Sequence, residues 1–235
     1  MSFLSDYFKK LTEKKRQPGK GYAINTWSGT IAKDTPIEGC PFVVFDTELS
    51  GLDGRKDFIV SIGAIKMTGG MVHISKEFYR LIRPAGEMTK KSVEIHGITP
   101  GELEEKESLD SVLEDFLEFI QDSVLVGHFI NIDLKFVNRA LKKLYNMKLA
   151  NPAVDTHTIH EWLYENGVAF KRHYHGGSTR TDLFSVAQRY GITVDTAHDA
   201  LNDAFVTAQM FQKFLYFLHA EGMQKLSELL EIGRA

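Results

Sequence analysis

Residues 41–49 read PFVVFDTEL. The run is short, apolar and rich in Val and Phe, which suits a buried strand. It ends on two carboxylates, Asp46 and Glu48. Positions i and i+2 of a strand point to the same face. Two carboxylates side by side repel, and one is forced toward its neutral form. A divalent cation removes that conflict, and oxygen-only ligands suit hard ions such as Mg²⁺ or Mn²⁺. An Asp-x-Glu pair alone is common, however, and can simply end a strand and cap a turn.

Outward from this strand, GLDGRKD (51–57) is turn-like. FIVSIGAIKM (58–67) and HISKEFYRLI (73–82) read as strands, with TGGM (68–71) between them as a hairpin signal. Three strands with short connections predict an antiparallel meander. After Pro84 the pattern changes to helices alternating with short strands. Residues 109–120 set apolar groups at 109, 112, 113, 116, 117 and 120, one face of a helix. SVLVGH (123–128) and AVDT (153–156) are short buried strands. Helices are predicted over 132–145, over 181–191 with Gly191 as C-cap, and over the mostly apolar 199–220. Strands first and then alternating units define an α/β fold: a mixed sheet, antiparallel and then parallel, flanked by helices.

Residues 1–40 read as an appended helix and linker, and 41–235 as the globular domain. Phe3, Leu4, Tyr7, Phe8 and Leu11 recur at helical spacing. A helix packed on its own domain is the favoured account, against a docking or membrane-surface helix. The C-terminal GMQKLSELLEIG (222–233) reads as an amphipathic last helix, with only a vague likeness to a clamp-binding peptide.

The chain of 235 residues is 43% hydrophobic, 25% charged and 11% aromatic, enough apolar surface to build a core. No stretch approaches the ~18 apolar residues of a membrane span, and the N-terminus lacks a signal-like apolar region. A lone cysteine, Cys40, excludes a disulfide framework and a multi-cysteine zinc site. These features lead us to expect a reducing cytoplasm. Residues 1–20 carry a local charge of +4, whereas 41–235 carry −6. If the main body handles nucleic acid, something other than net basic charge attracts the phosphates, and bound divalent cations could do so.

Three more residues extend the acid pair. Asp133 follows the strand 123–128 at a helix start, Asp203 lies inside the apolar helix 199–220, and His198 stands just before that helix. Alone, each has an ordinary role: a helix-dipole charge, a solvated face, a helix-entry histidine. Together with the pair they make four carboxylates, two of them on one strand, and a histidine. Asp46-Thr47-Glu48 with Leu49-Ser50-Gly51-Leu52, then Gly127-His128…Asp133, then His198-x-Ala200-x-x-Asp203, resemble the three motifs of the DnaQ-like (DEDDh) 3′→5′ exonucleases. That family includes the epsilon proofreading subunit of bacterial replicative DNA polymerase. Lesser landmarks are Ile62-Gly63-Ala64, His96-Gly97-Ile98-Thr99 and Val154-Asp155-Thr156, and the resemblance runs from about Phe42 to Phe217.

The resemblance implies a ribonuclease-H-like fold. It implies two Mg²⁺ or Mn²⁺ ions held by Asp46, Glu48, Asp133 and Asp203, with His198 as general base. Substrates would be single-stranded 3′ ends, most plausibly of DNA, and products 5′-mononucleotides. It places Thr47 and Leu49 near the terminal sugar, Leu52 as an apolar wedge and His96 near the terminal nucleotide. Turn packing is the alternative for both leucines. The second motif departs from the family's G-H-N-x-x-F-D: Phe129 stands for the Asn and Ile132 for the Phe. Phe129 is then the aromatic left to contact substrate. The stretch 167–180, with Lys171, Arg172, Arg180, Phe170 and Tyr174, suits a loop along a single-strand path, against a solvated mobile loop, which is slightly favoured for any one residue. An RNA substrate and a catalytically silent docking module are the competing functions. Intact acids and an intact His198 weigh against the second. A polymerase or a sliding clamp is the partner expected at the termini.

Overall fold

Five strands form one mixed sheet in the order β3-β2-β1-β4-β5. They are β1 (Pro41–Leu49), β2 (Ile59–Thr68), β3 (Met71–Leu81), β4 (Val124–Gly127) and β5 (Ala153–Asp155). The first three pair antiparallel, as the hairpin signal predicts, and β4 and β5 join β1 in parallel. The structure is a computed structural model, and it describes residues 29, 31–174, 180–194 and 198–235. The proposed helix at residues 1–11 lies outside the described residues.

The helices are α1 (Lys90–His96), α2 (Pro100–Leu103), α3 (Leu109–Ile120), α4 (Asn131–Tyr145) and α5 (Thr156–Asn166). They continue with α6 (Val168–His173), α7 (Leu183–Arg189), α8 (Ala200–Ala220) and α9 (Leu226–Ile232). Alternation along β1 divides the core between two sides of the sheet. Phe42 and Val44 join the buried side chains of α5, α7, α8 and α9. Val43 and Phe45 join those of α3 and α4. Asp46 and Glu48 continue the face that looks toward α8, and Thr47 the face toward α4. No helix among the described residues is long and apolar enough to cross a membrane.

Two local features shape the end of the sheet. β4 pairs with β1 from Phe42 only as far as Val44, so the last residues of β1 have no strand beside them on that edge. On the other edge Gly63 lies directly opposite Asp46. A Cβ on Gly63 would stand 2.2 Å from the Ala200 carbonyl carbon and the Leu201 nitrogen. Only glycine lets the first turn of α8 lie on the sheet there. Gly63→Ala should therefore cost about 1–3 kcal/mol through overpacking. It should also cut the nuclease activity that the resemblance implies by roughly a hundredfold, because α8 carries Asp203 and is preceded by His198. Urea melts and cleavage rates of the variant check both; an unchanged rate would show that the contact does not set the site.

Two sequence expectations need correction. Residues 168–173 form helix α6 rather than an open loop, and Phe170 is fully buried among core aromatics. Tyr174 packs edge-on against Tyr190, with ring centroids 4.7 Å apart. Apolar side chains with core neighbours formed a core here, and no platform for bases remains at these two rings. Residues 175–179 lie outside the described residues. Helices α1 and α5 were not foreseen. The apolar positions of α5, Ile159, Trp162 and Leu163, cover only about one turn, too short a run to set a period.

Candidate active site

The carboxyl end of β1 opens into a cleft of about 730 Å³. Its floor is acidic. Asp46, Glu48 and Asp203 each offer an oxygen, and these lie within 4.8 Å of one another. The first two come from adjacent same-face positions of β1. The third comes from the turn of α8 seated over Gly63.

Asp133 reaches the floor by another route. With no strand beside the end of β1, the Thr47 N–H is left without a ladder partner, and it donates to Asp133 Oδ1 at 3.0 Å. The Thr47 hydroxyl donates to the same oxygen at 2.5 Å. Asp133, in the first turn of α4, is thereby fixed against β1. Thr47 lines the cleft, but its hydroxyl is engaged in holding an acid.

The electrostatics follow from crowding. Burial first, and then the charges of Asp133, Glu48, Asp203 and Asp199, push the Asp46 carboxyl well above the usual range. Burial, with Asp203 next, pushes Glu48 up to about 8. Burial raises Asp203 to about 7 against a hydrogen bond from the His198 backbone. It raises Asp133 to about 7 against the bonds from Thr47. Oδ1 of Asp203 is buried with no hydrogen-bond partner. So is Oγ of Ser61, directly across the strands from Glu48. Acids that resist joint ionisation, one with an orphaned oxygen, fit a hard divalent cation.

His198 lies on the same cleft, exposed, with its ring edge-on to Phe184 at 5.3 Å. His96 is also on the wall. Its Nδ1 accepts the Ile98 N–H at 3.1 Å, so a neutral ring carries its hydrogen on Nε2. That Nε2 is buried without a partner. Leu49 and Leu52 line the cleft as well. Leu49 is partly buried against the α3–α4 core, whereas Leu52 is 71% exposed.

Phe129 lines the cleft and rests on His157, with centroids 4.3 Å apart and the rings tilted by 30°. Its φ is 55°, a left-handed conformation uncommon for a bulky residue. Its N–H is held by Asp155 Oδ1 at 3.0 Å. Ile95 and Ile132, 47% and 41% exposed, complete an apolar rim with Leu52 and Phe129. Sequence reasoning missed Ile95, Phe184 and Asp199. The first two carry no motif, but Asp199 stands beside His198 and could have been noticed.

An acidic metal-fitting floor, an exposed histidine and an apolar rim suit a hydrolase of phosphodiesters or similar anions. The family model described as Exonuclease, RNase T, matches residues 43–211. The chain belongs to that exonuclease family and is a nuclease by class. The PolC-type DNA polymerase III of Thermotoga maritima is 37% identical over 199 residues, covering 85% of this chain and 14% of that protein. This chain thus spans a small part of such relatives. The DNA polymerase III subunit epsilon of Aquifex aeolicus is 31% identical over 205 residues, covering 86% of this chain and 95% of that one. Among solved structures, E. coli exonuclease I in complex with a dT13 oligonucleotide aligns with a TM-score of 0.66 at 17% identity. It covers 78% of this chain and 42% of that one. Exonuclease X with 5′ overhanging duplex DNA aligns with a TM-score of 0.59 at 17% identity, covering 82% and 99%. At these identities the structural likeness speaks for the ribonuclease-H-like fold.

Proposed function

We propose that the chain is a metal-dependent 3′→5′ exonuclease acting on single-stranded ends, of DNA, and releasing 5′-mononucleotides. The observation that carries this reading is the triad of Asp46, Glu48 and Asp203 oxygens within 4.8 Å, in one cleft with His198. Asp46, Glu48, Asp133 and Asp203 would hold two Mg²⁺ or Mn²⁺ ions. Bound there, the ions would supply Lewis-acid activation of water and of the scissile phosphodiester. His198 accepts the proton of the attacking water at a ring nitrogen, a task suited to imidazole near neutral pH. His96, on the cleft wall, lies near the terminal nucleotide. Thr47 acts on Asp133, while Leu49 and Leu52 pack against the terminal sugar and base.

The apolar rim supports a single-stranded substrate. Unpaired bases expose π-faces that pack on Phe129, Leu52, Ile95 and Ile132, and such contacts tolerate any sequence. The names of the relatives above favour DNA over RNA and a polymerase as partner, with the clamp as the other candidate. Residues 41–235 form the catalytic domain in this reading, and 1–40 an extension. Cleavage of labelled single strands with and without chelator tests the reading.

Phe129 provides a separate check. Asparagine tolerates the left-handed backbone far better than phenylalanine. Phe129→Asn should raise stability by about 0.5–1 kcal/mol, since strain of this kind costs of order 1–3 kcal/mol and the stacking on His157 is lost. It should also raise KM for oligonucleotides about tenfold, given ~1–3 kcal/mol per stacked base. A KM within twofold of the parent would remove Phe129 from the binding surface.

A further inference from the structure

Leu52 stands 71% exposed on the rim of the cleft, in the polar stretch GLDGRKD (51–57) between β1 and β2. Polar surface loops are ordinarily the free part of a fold. This one is tied down. Its base is closed by the Ser50 N–H, which donates to the Phe58 carbonyl at 3.0 Å. The Asp57 carboxylate braces the interior, accepting the Ser50 hydroxyl at 3.1 Å and the Asp53 N–H at 2.8 Å. The Asp57 N–H returns to the Asp53 carbonyl at 2.9 Å.

The outer tie comes from α4. The Arg139 guanidinium donates from Nη1 to the Gly54 carbonyl and from Nη2 to the Asp57 carbonyl. Its Cζ lies 4.9 Å from the centre of the Phe136 ring, on the same helix. A planar fork serves two carbonyls at once, where an ammonium is a single point. Gly54 lets α4 come close, because a Cβ there would stand 2.7 Å from Lys135 Cε. Arg139 is on none of the three motifs, and it does not line the cleft. Yet α4 is the helix whose Asp133 holds Thr47. One helix thus grips the end of β1 through Asp133 and the following loop through Arg139, so the acid floor and Leu52 share one support.

We propose that Arg139 is a positioning residue: by gripping two carbonyls of the loop 51–57, it holds Leu52 over the cleft as a preformed apolar contact for the end of an unpaired strand. The inference rests on the exonuclease reading and deepens it, naming what fixes a substrate contact. A side chain already held in place costs little ordering when substrate arrives. On a freed loop the same leucine must be ordered at each encounter, and the loss falls on KM. The chemistry and the metal affinity are set at the acid floor and stay.

The experiment compares Leu52→Ala, Arg139→Lys and the double variant with the parent, each as the full chain. It measures kcat, KM and the Mg²⁺ midpoint on a 5′-labelled single-stranded oligonucleotide. Trypsin cleavage after Arg55 and Lys56, both exposed on the loop, is followed under native conditions by mass spectrometry. Lysine keeps the charge at 139, so general attraction for phosphates is unchanged. Each single variant should raise KM about fivefold, the low end for a base packed on a side chain, with kcat and the Mg²⁺ midpoint within twofold. Both act through one side chain, so the double variant should raise KM no further than the larger single change. Loop cleavage should quicken about tenfold in Arg139→Lys as local opening becomes easier. An Arg139→Lys KM within twofold of the parent overturns the proposal, as does unchanged loop cleavage. So do additive effects in the double variant, about twenty-fivefold together, which would separate the arginine from the leucine. A kcat or Mg²⁺ midpoint that shifts along with KM also overturns it, because α4 itself has then moved. Should Arg139→Lys fail to fold, Arg139→Gln, whose amide reaches one carbonyl, stands in under the same criteria. An inactive parent sinks the exonuclease reading, and the task of Leu52 with it. An active parent with an indifferent Arg139→Lys sinks the grip alone.

Discussion

Asp46→Asn is expected to lower kcat by at least about a thousandfold while raising the melting temperature of the metal-free protein. The two effects share one cause. Asp46 feels four neighbouring carboxylates, those of Asp133, Glu48, Asp203 and Asp199. Without a cation, that crowding opposes folding wherever the acids ionise, and the neutral amide relieves it. Relief of about 1 kcal/mol corresponds to roughly 2–4 °C in a chain of this size. With a cation, the same charge is a ligand. Its loss removes several kcal/mol of Lewis-acid stabilisation, and each 1.36 kcal/mol is tenfold in rate. Calorimetry in EDTA and single-turnover cleavage in Mg²⁺ read the two effects separately. Activity within tenfold of the parent, or a lower metal-free melting temperature, would contradict the role given to Asp46.

The second large effect is a linkage between pH, metal and stability. Glu48 is pushed up to about 8, and Asp133 and Asp203 to about 7, from unfolded values near 4. Between about pH 4 and pH 8 the folded state therefore holds more protons than the unfolded one. The stability these groups contribute is fully present below about pH 4 and is lost as pH rises through 7 to 8. The metal-free protein should melt progressively lower from pH 5 to pH 8.5. Mg²⁺ at a hundred times its dissociation constant should restore about 2.7 kcal/mol at pH 8, or roughly 5–10 °C. At pH 5 the cation competes with bound protons, so its gain should nearly vanish. A melting temperature flat with pH in EDTA would sink this account, as would an equal Mg²⁺ gain at both pH values.

Much of this was legible in residues 41–133 and 198–203. The Val- and Phe-rich run of β1, the hairpin signal before β3 and the period of α3 each report burial on a defined face. The chain folds as those periods dictate. The three motifs pointed to Asp46, Glu48, Asp203 and His198, and the structure brings these four to one cleft. Other parts were illegible for physical reasons. Phe170 carries the same letters in a core helix as on a binding loop, and only its neighbours decide. Gly63 acts through the side chain it lacks. Its place opposite Asp46 depends on strand register, which hydrophobic alternation fixes only as to face. The strain at Phe129 is a backbone property that no single residue type announces.

The most direct measurement is a gel assay with 5′-labelled single-stranded DNA and RNA of one sequence, in Mg²⁺, in Mn²⁺ and in EDTA, beside Asp46→Ala. The account predicts a ladder shortening from the 3′ end with either metal, stronger on DNA, and absent in EDTA and in the variant. Undegraded strands with a folded protein and metal present would contradict it, as would shortening that persists in EDTA.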